Sequence, residues 1–156
     1  MNRLLITILF FFKLSALSAQ NERIDFLINN IDNQKLFGTC NYVWVLKNGS
    51  YEADPLIKIG QSKTKDLNLL CLKLYNLLTD PTKGIISHYI LSNIINVEGV
   101  KYTSLYFYDE DGTLEYNYNG LRFYENKYKR MFADYSELEY NRNVWSVILR
   151  QMKVLN

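Results

Sequence analysis

From about residue 21 to about residue 96 apolar residues recur at every third or fourth position, and from there to about residue 132 at alternate positions. That change of period predicts a helical half followed by a strand-rich half. Ile24, Leu27, Ile28 and Ile31 fall on one helix face, which Asp32-Asn33 interrupts. Residues 38–49 fit either period. Tyr42-Val43-Trp44-Val45-Leu46 has strand composition and Asn48-Gly49 is a hairpin signal, yet the same glycine suits a helix C-terminus. Helical segments on both sides favour helix here. Asp54-Pro55 supplies an N-cap and a first-turn proline for a short helix that Gly60 stops. Ser62 caps a longer helix through Leu78, whose apolar face carries Leu67, Leu70, Cys71, Leu74, Leu77 and Leu78. Asp80-Pro81 repeats the start and opens a helix to about Ile95 that buries Ile85, Ile86, Tyr89, Ile90 and Ile94.

After Asn96-Val97-Glu98-Gly99 the pattern is that of an antiparallel meander. Tyr102 to Tyr108 alternates, with Leu105 and Phe107 on one face and Tyr102, Tyr106 and Tyr108 on the other. Asp109-Glu110-Asp111-Gly112 turns the chain, Leu114 to Tyr118 returns it, and Asn119-Gly120 turns it into Leu121 to Tyr124. A fourth strand fits Tyr128–Phe132. A closing helix from about Asn143 aligns Trp145, Ile148, Leu149, Met152 and Leu155. The fold class predicted is α+β: N-terminal helical hairpins, a small antiparallel β-meander, then a C-terminal helix.

The segment Asp54-Pro55-Leu56-Ile57-x-Ile59-Gly60 and the later Asp80-Pro81 start form successive capped helices. Over residues 36–95 the chain resembles HEAT-like helical repeats, in which short capped helices stack into a scaffold for binding proteins. The resemblance implies an architecture and brings no functional residues with it. Fewer than three units are visible, so such a stack would need other elements to cover its faces.

The N-terminus changes the electrostatic picture. Met1-Asn2-Arg3 is short and basic, Leu4 to Phe12 is uncharged and apolar but for Thr7, and Leu14 to Gln20 brings in small residues. These are the zones of a secretory signal peptide over residues 1–19, with cleavage after Ser18 or after Ala19. The run is too short for a transmembrane helix and Lys13 ends it. The expectation is an exported protein, periplasmic or extracellular, whose residues 20–156 form one domain (helical half about 20–96, strand-rich half about 97–156). Of 18 Lys+Arg and 16 Asp+Glu, Arg3 and Lys13 would leave with the signal, so 18 − 2 = 16 cations balance 16 anions. Neutrality removes any general attraction to nucleic acid or anionic lipid.

Export also bears on the two cysteines. Cys40 and Cys71 could pair in an oxidising compartment, although Cys71 lies on the apolar face of its helix, where a free thiol packs as a small core residue.

Candidate chemistry is sparse. Aligning Gly112 with the sixth position of a calcium-binding loop puts Phe107 first and Tyr118 twelfth, where oxygen ligands are required; the acidic segment reads as a hairpin turn. His88 is the one histidine, too few for a zinc site, and its neighbour Ser87 points elsewhere on a helix. Glu115, Glu125, Glu137 and Glu139 are candidate hydrolytic carboxylates by type alone. Lys127-Tyr128-Lys129-Arg130 mixes cations and an aromatic ring but fits the outer face of an edge strand better than a nucleic-acid surface. No catalytic residue, metal or cofactor is assigned.

The distinctive feature is 13 tyrosines in a chain with two prolines. Tyr102, Tyr106, Tyr108, Tyr116 and Tyr118 are the candidate binding residues, an aromatic strand surface suited to a protein or glycan partner. The function expected is an exported, non-enzymatic binding domain. The alternative is a small exported hydrolase using carboxylates or His88. The sequence leaves the oligomeric state open.

Overall fold

The computed structural model describes residues 19, 21–38, 44–46, 55–62, 67–95, 104–108 and 112–156, with the backbone alone at 35–38, 44–46 and 104–108. The chain forms two compact units, Met1–Asn30 and Ile31–Asn156. In the first, residues 21–29 are helical (α1). Ile24 and Ile28 are buried as the helical spacing requires, and Asn30 closes the last turn through its side-chain amide on the Phe26 carbonyl at 2.7 Å. Residues 1–18, which hold all of the candidate signal peptide but Ala19, lie outside the described residues.

The second unit is α+β. A two-stranded antiparallel ribbon pairs β1 (Leu36–Gly38) with β2 (Trp44–Leu46). Three helices follow, α2 (Pro55–Gln61), α3 (Leu67–Asn76) and α4 (Gly84–Ile94). A four-stranded antiparallel meander, β3 (Ser104–Tyr108), β4 (Thr113–Tyr118), β5 (Leu121–Glu125) and β6 (Met131–Phe132), lies in sequence order. Helix α5 (Tyr135–Gln151) closes the unit. Within this unit the helices and the sheet share one core.

Three expectations need correction. The segment read as helix at 38–49 contributes a strand: Trp44, Val45 and Leu46 pair with Gly38, Phe37 and Leu36. Their β-branched and aromatic composition outweighed the helical neighbourhood. Gly60 does not stop α2 but lies inside it, where a Cβ would come within 2.5 Å of the Ile94 side chain; its role is close approach to α4. The closing helix begins at Tyr135 rather than near Asn143. Its first turns are polar on most sides, so the apolar spacing became visible only later.

Helix α4 organises the core. It contacts α2, α3, α5 and β5 and holds no charged residue, as expected of a helix buried nearly all round. Its start is fixed from two directions. The Asp80 carboxylate accepts from Thr82 N at 2.8 Å, Thr82 Oγ1 at 2.7 Å and Lys83 N at 3.0 Å. Burial raises the Asp80 pKa, but these bonds and the Lys83 charge prevail and hold it below its ordinary value. From the 3₁₀ turn Asn33–Lys35, Asn33 reaches across to accept from Ile86 N at 3.0 Å and to donate to the Pro81 carbonyl at 2.9 Å. The next residue, Gln34, binds both backbone groups of Met131 at 2.9 Å and so covers the β6 edge of the sheet.

Candidate functional site

The strand registers decide which side chains share a face. Tyr116 and Tyr118 lie with Leu121, Phe123, Glu125 and Met131 on the inner, helix-facing side, and all six are buried. Tyr116 is 4% exposed and Tyr118 8%, so a surface platform does not include them. Tyr116 stacks on Phe123 with centroids 5.4 Å apart and donates its hydroxyl to Glu125 at 2.6 Å. Burial and that carboxylate push the Tyr116 pKa up. Tyr118 packs beside Tyr89 and takes a hydrogen bond from the Asn93 amide at 3.2 Å.

His88 is part of the same interior. It is 2% exposed. Trp145 Nε1 donates to His88 Nδ1 at 2.9 Å, so the neutral ring carries its proton on Nε2, which donates to the Tyr118 carbonyl at 2.7 Å. Both nitrogens are thus engaged, one by α5 and one by the end of β4. Burial drives the His88 pKa down to about 4, against the opposing pull of the Tyr118 carbonyl and Asn141. Trp145 and Tyr118 meet the ring edge-on, at 5.9 Å and 5.8 Å. This is a structural histidine joining three elements. Cys71 is a free, buried thiol whose pKa burial pushes up to about 11, an inert core group. Cys40 lies outside the described residues.

The outer face of the sheet is chemically different. One cross-strand row runs from the register position of Tyr106 through Glu115 and Tyr124 to Phe132. Tyr124 and Phe132 stack with centroids 5.4 Å apart, and Phe132 is exposed. Glu115 lies low in the row and is nearly buried. Beside it, Arg122 projects from β5 and donates to Glu137 of α5 at 2.5 Å. Glu115, Asp134 and Glu137 all act on the Tyr124 hydroxyl: burial raises its pKa, Arg122 opposes, and the three carboxylates add to the rise. The result is an aromatic pair rimmed by three carboxylates and one guanidinium.

Of the candidate binding tyrosines, Tyr102 and the side chains of Tyr106 and Tyr108 lie outside the described residues. The outer register positions of 106 and 108 nevertheless place them on the Tyr124 face, opposite Glu115 and Thr113. The candidate carboxylates are dispersed. Glu125 is on the inner face with Tyr116, Glu139 is exposed on α5, and only Glu115 and Glu137 act on a common cation, Arg122. Tyr124, Phe132 and Arg122 escaped sequence reasoning. The signal was available in the period-two pattern, because the Asn119-Gly120 turn fixes the register of β5 on β4 and hence sets Tyr124 opposite Glu115.

The basic segment Lys127–Arg130 forms the β5–β6 hairpin loop. Asn126 organises it by accepting from Tyr128 N at 3.0 Å and Arg130 N at 3.1 Å on its side-chain oxygen. Lys129 takes a positive φ of 60°, and its ammonium reaches Glu125 at 3.7 Å. Among the described residues no three His, Cys, Asp or Glu side chains gather as a metal site, and no helix is long and apolar enough to cross a membrane. No family model, curated protein or solved structure matches the chain, so its function is argued from these residues.

Proposed function

We propose that the chain is an exported, non-enzymatic binding domain that engages a partner protein through the outer face of its sheet. The observation that carries this reading is the Glu115–Tyr124–Phe132 row: a stacked, partly exposed aromatic pair set among Glu137, Asp134 and Arg122. Rigid rings with a charged rim are the usual make-up of a protein-binding patch. The zones of residues 1–19 supply the argument for export, and the likeness of residues 36–95 to HEAT-like repeats agrees with a scaffold role. Against the hydrolase alternative stands His88, whose two ring nitrogens are both occupied inside the core.

The test is affinity capture from the native envelope or medium, followed by titration of the purified partner against wild type and Phe132→Ala. Truncating an exposed ring at a binding hot spot weakens binding about 30-fold or more, and the melting temperature should hardly move. A variant that captures the same partner equally well would remove the binding site from this face. Retention of a glycan instead, lost in the same variant, would keep the site and change the partner class.

A further inference from the structure

We infer that α5 pairs antiparallel with α5 of a second copy of this chain, along a seam formed by Tyr140, Val144 and Val147. The inner side of α5 is already committed, since Leu138, Asn141, Trp145 and Leu149 are buried in the unit's own core. The far side of such a helix is ordinarily polar. Here it carries Tyr140, Val144 and Val147, exposed by 64%, 41% and 55%.

Their spacing indicates the kind of occupant. Steps of four and then three residues trace a narrow seam, the pattern that meets another helix side by side rather than a broad sheet or flat surface. Val144 at its middle is small enough for close approach of two backbones.

The charges indicate the orientation and the partner. Asp134, Glu137 and Glu139 crowd the N-terminal end of α5, while Arg150 and Lys153 stand at its C-terminal end. An antiparallel copy sets each acidic end against a basic end, with the two-fold axis near Val144. A parallel copy would oppose like charges. Glu139 and Arg150 fall on one flank of the seam, on either side of Val144, by the 100° step of the helix. Arg142, between them, is drawn away to the Tyr75 ring at 5.0 Å. A net charge of only +2 on the full chain offers little repulsion between copies. The seam residues Tyr140, Val144 and Val147 are not part of the Tyr124–Phe132 face, although Asp134 and Glu137 at the acidic end of α5 also rim that face.

Sedimentation equilibrium of the purified chain tests it. Wild type should approach twice the monomer mass at about 100 µM and dissociate on dilution. Val144→Lys and Val147→Lys should each raise the dissociation constant about 30-fold or more while leaving the melting curve of the monomer unchanged. Glu139→Lys should weaken pairing, and adding Arg150→Glu should restore it. Three results would overturn the inference: a wild type that stays monomeric at that concentration, a dimer indifferent to both lysine substitutions, or a charge-exchanged double variant weaker than Glu139→Lys alone.

Discussion

Protonating His88 should destabilise the fold as pH falls from about 6.5 to about 4. The neutral ring accepts from Trp145 at Nδ1 and donates to the Tyr118 carbonyl from Nε2. A second proton would have to sit on Nδ1, where it meets the Trp145 N–H head on and breaks the link between α4 and α5. The folded pKa of about 4 lies below the ordinary 6.5, so the unfolded chain takes the proton first. Stability therefore rises with pH through this interval. The His88 contribution is complete above pH 6.5, declines as pH falls, and is lost near pH 4. A separation of about 2.5 pKa units corresponds to about 3 kcal/mol, a large part of the ~5–15 kcal/mol that holds a domain folded. Asp80 acts on the acid side of this window. Its lowered pKa means that its contribution is present above its ordinary value of 3.8 and is lost as pH falls below it.

The assay is urea unfolding at a series of pH values from 7.5 to 4, comparing wild type with His88→Gln. Glutamine offers an acceptor and a donor but does not titrate. The variant should start less stable at pH 7.5 and then lose about 3 kcal/mol less than wild type on the way to pH 4. If wild type and His88→Gln decline in parallel, the protonation of His88 does not govern acid stability and its pKa is not lowered in the fold.

Two further substitutions probe how α4 is held. Asn33→Ala removes the acceptor for Ile86 N and the donor to Pro81, both at a buried site, and should cost about 2–4 kcal/mol by denaturant unfolding. Gly84→Ala would place a Cβ 2.5 Å from the Leu78 carbonyl oxygen and 3.0 Å from the Leu138 side chain. Because backbone cannot step aside as a side-chain tip can, thermal unfolding should show a loss of about 2 kcal/mol or more despite the helix propensity of alanine.

The legible parts of this chain were those where one physical signal acted alone. The Asn119-Gly120 turn has both residues at positive φ, 49° and 87°, and no competing element shares those residues. The leucine face of α3 was equally plain, because a buried face leaves its residue-type signature close together in sequence; Asp80 instead fixes the turn before α4, which begins at Gly84. Residues 38–49 carried two signals at once, and their neighbours pointed the wrong way. The role of His88 was invisible for another reason. Its partners Tyr118 and Trp145 lie 30 and 57 residues away, and nothing in local spacing foretells a bond of that range.

The tyrosines make the same point about the candidate site. Alternation assigns side chains to two faces, but it cannot say which face the helices will cover. On β4 the covered face is that of Tyr116 and Tyr118, since it also carries Leu114, while the partner strand buries Leu121 and Phe123 opposite them. The tyrosine count therefore divides into rings that fill the core and rings that can meet a ligand, and burial alone separates the two. Tyr124 belongs to the second group because Arg122 and Tyr124 alternate with those core residues. Glu115, set between the aromatic positions, explains why the outer face is not one more hydrophobic layer awaiting a helix. With Glu137 it acts on the Arg122 guanidinium, so the face presents charge beside its rings. Substituting Glu115 by Gln should accordingly weaken partner binding through loss of charge while the Tyr124–Phe132 stack keeps its geometry.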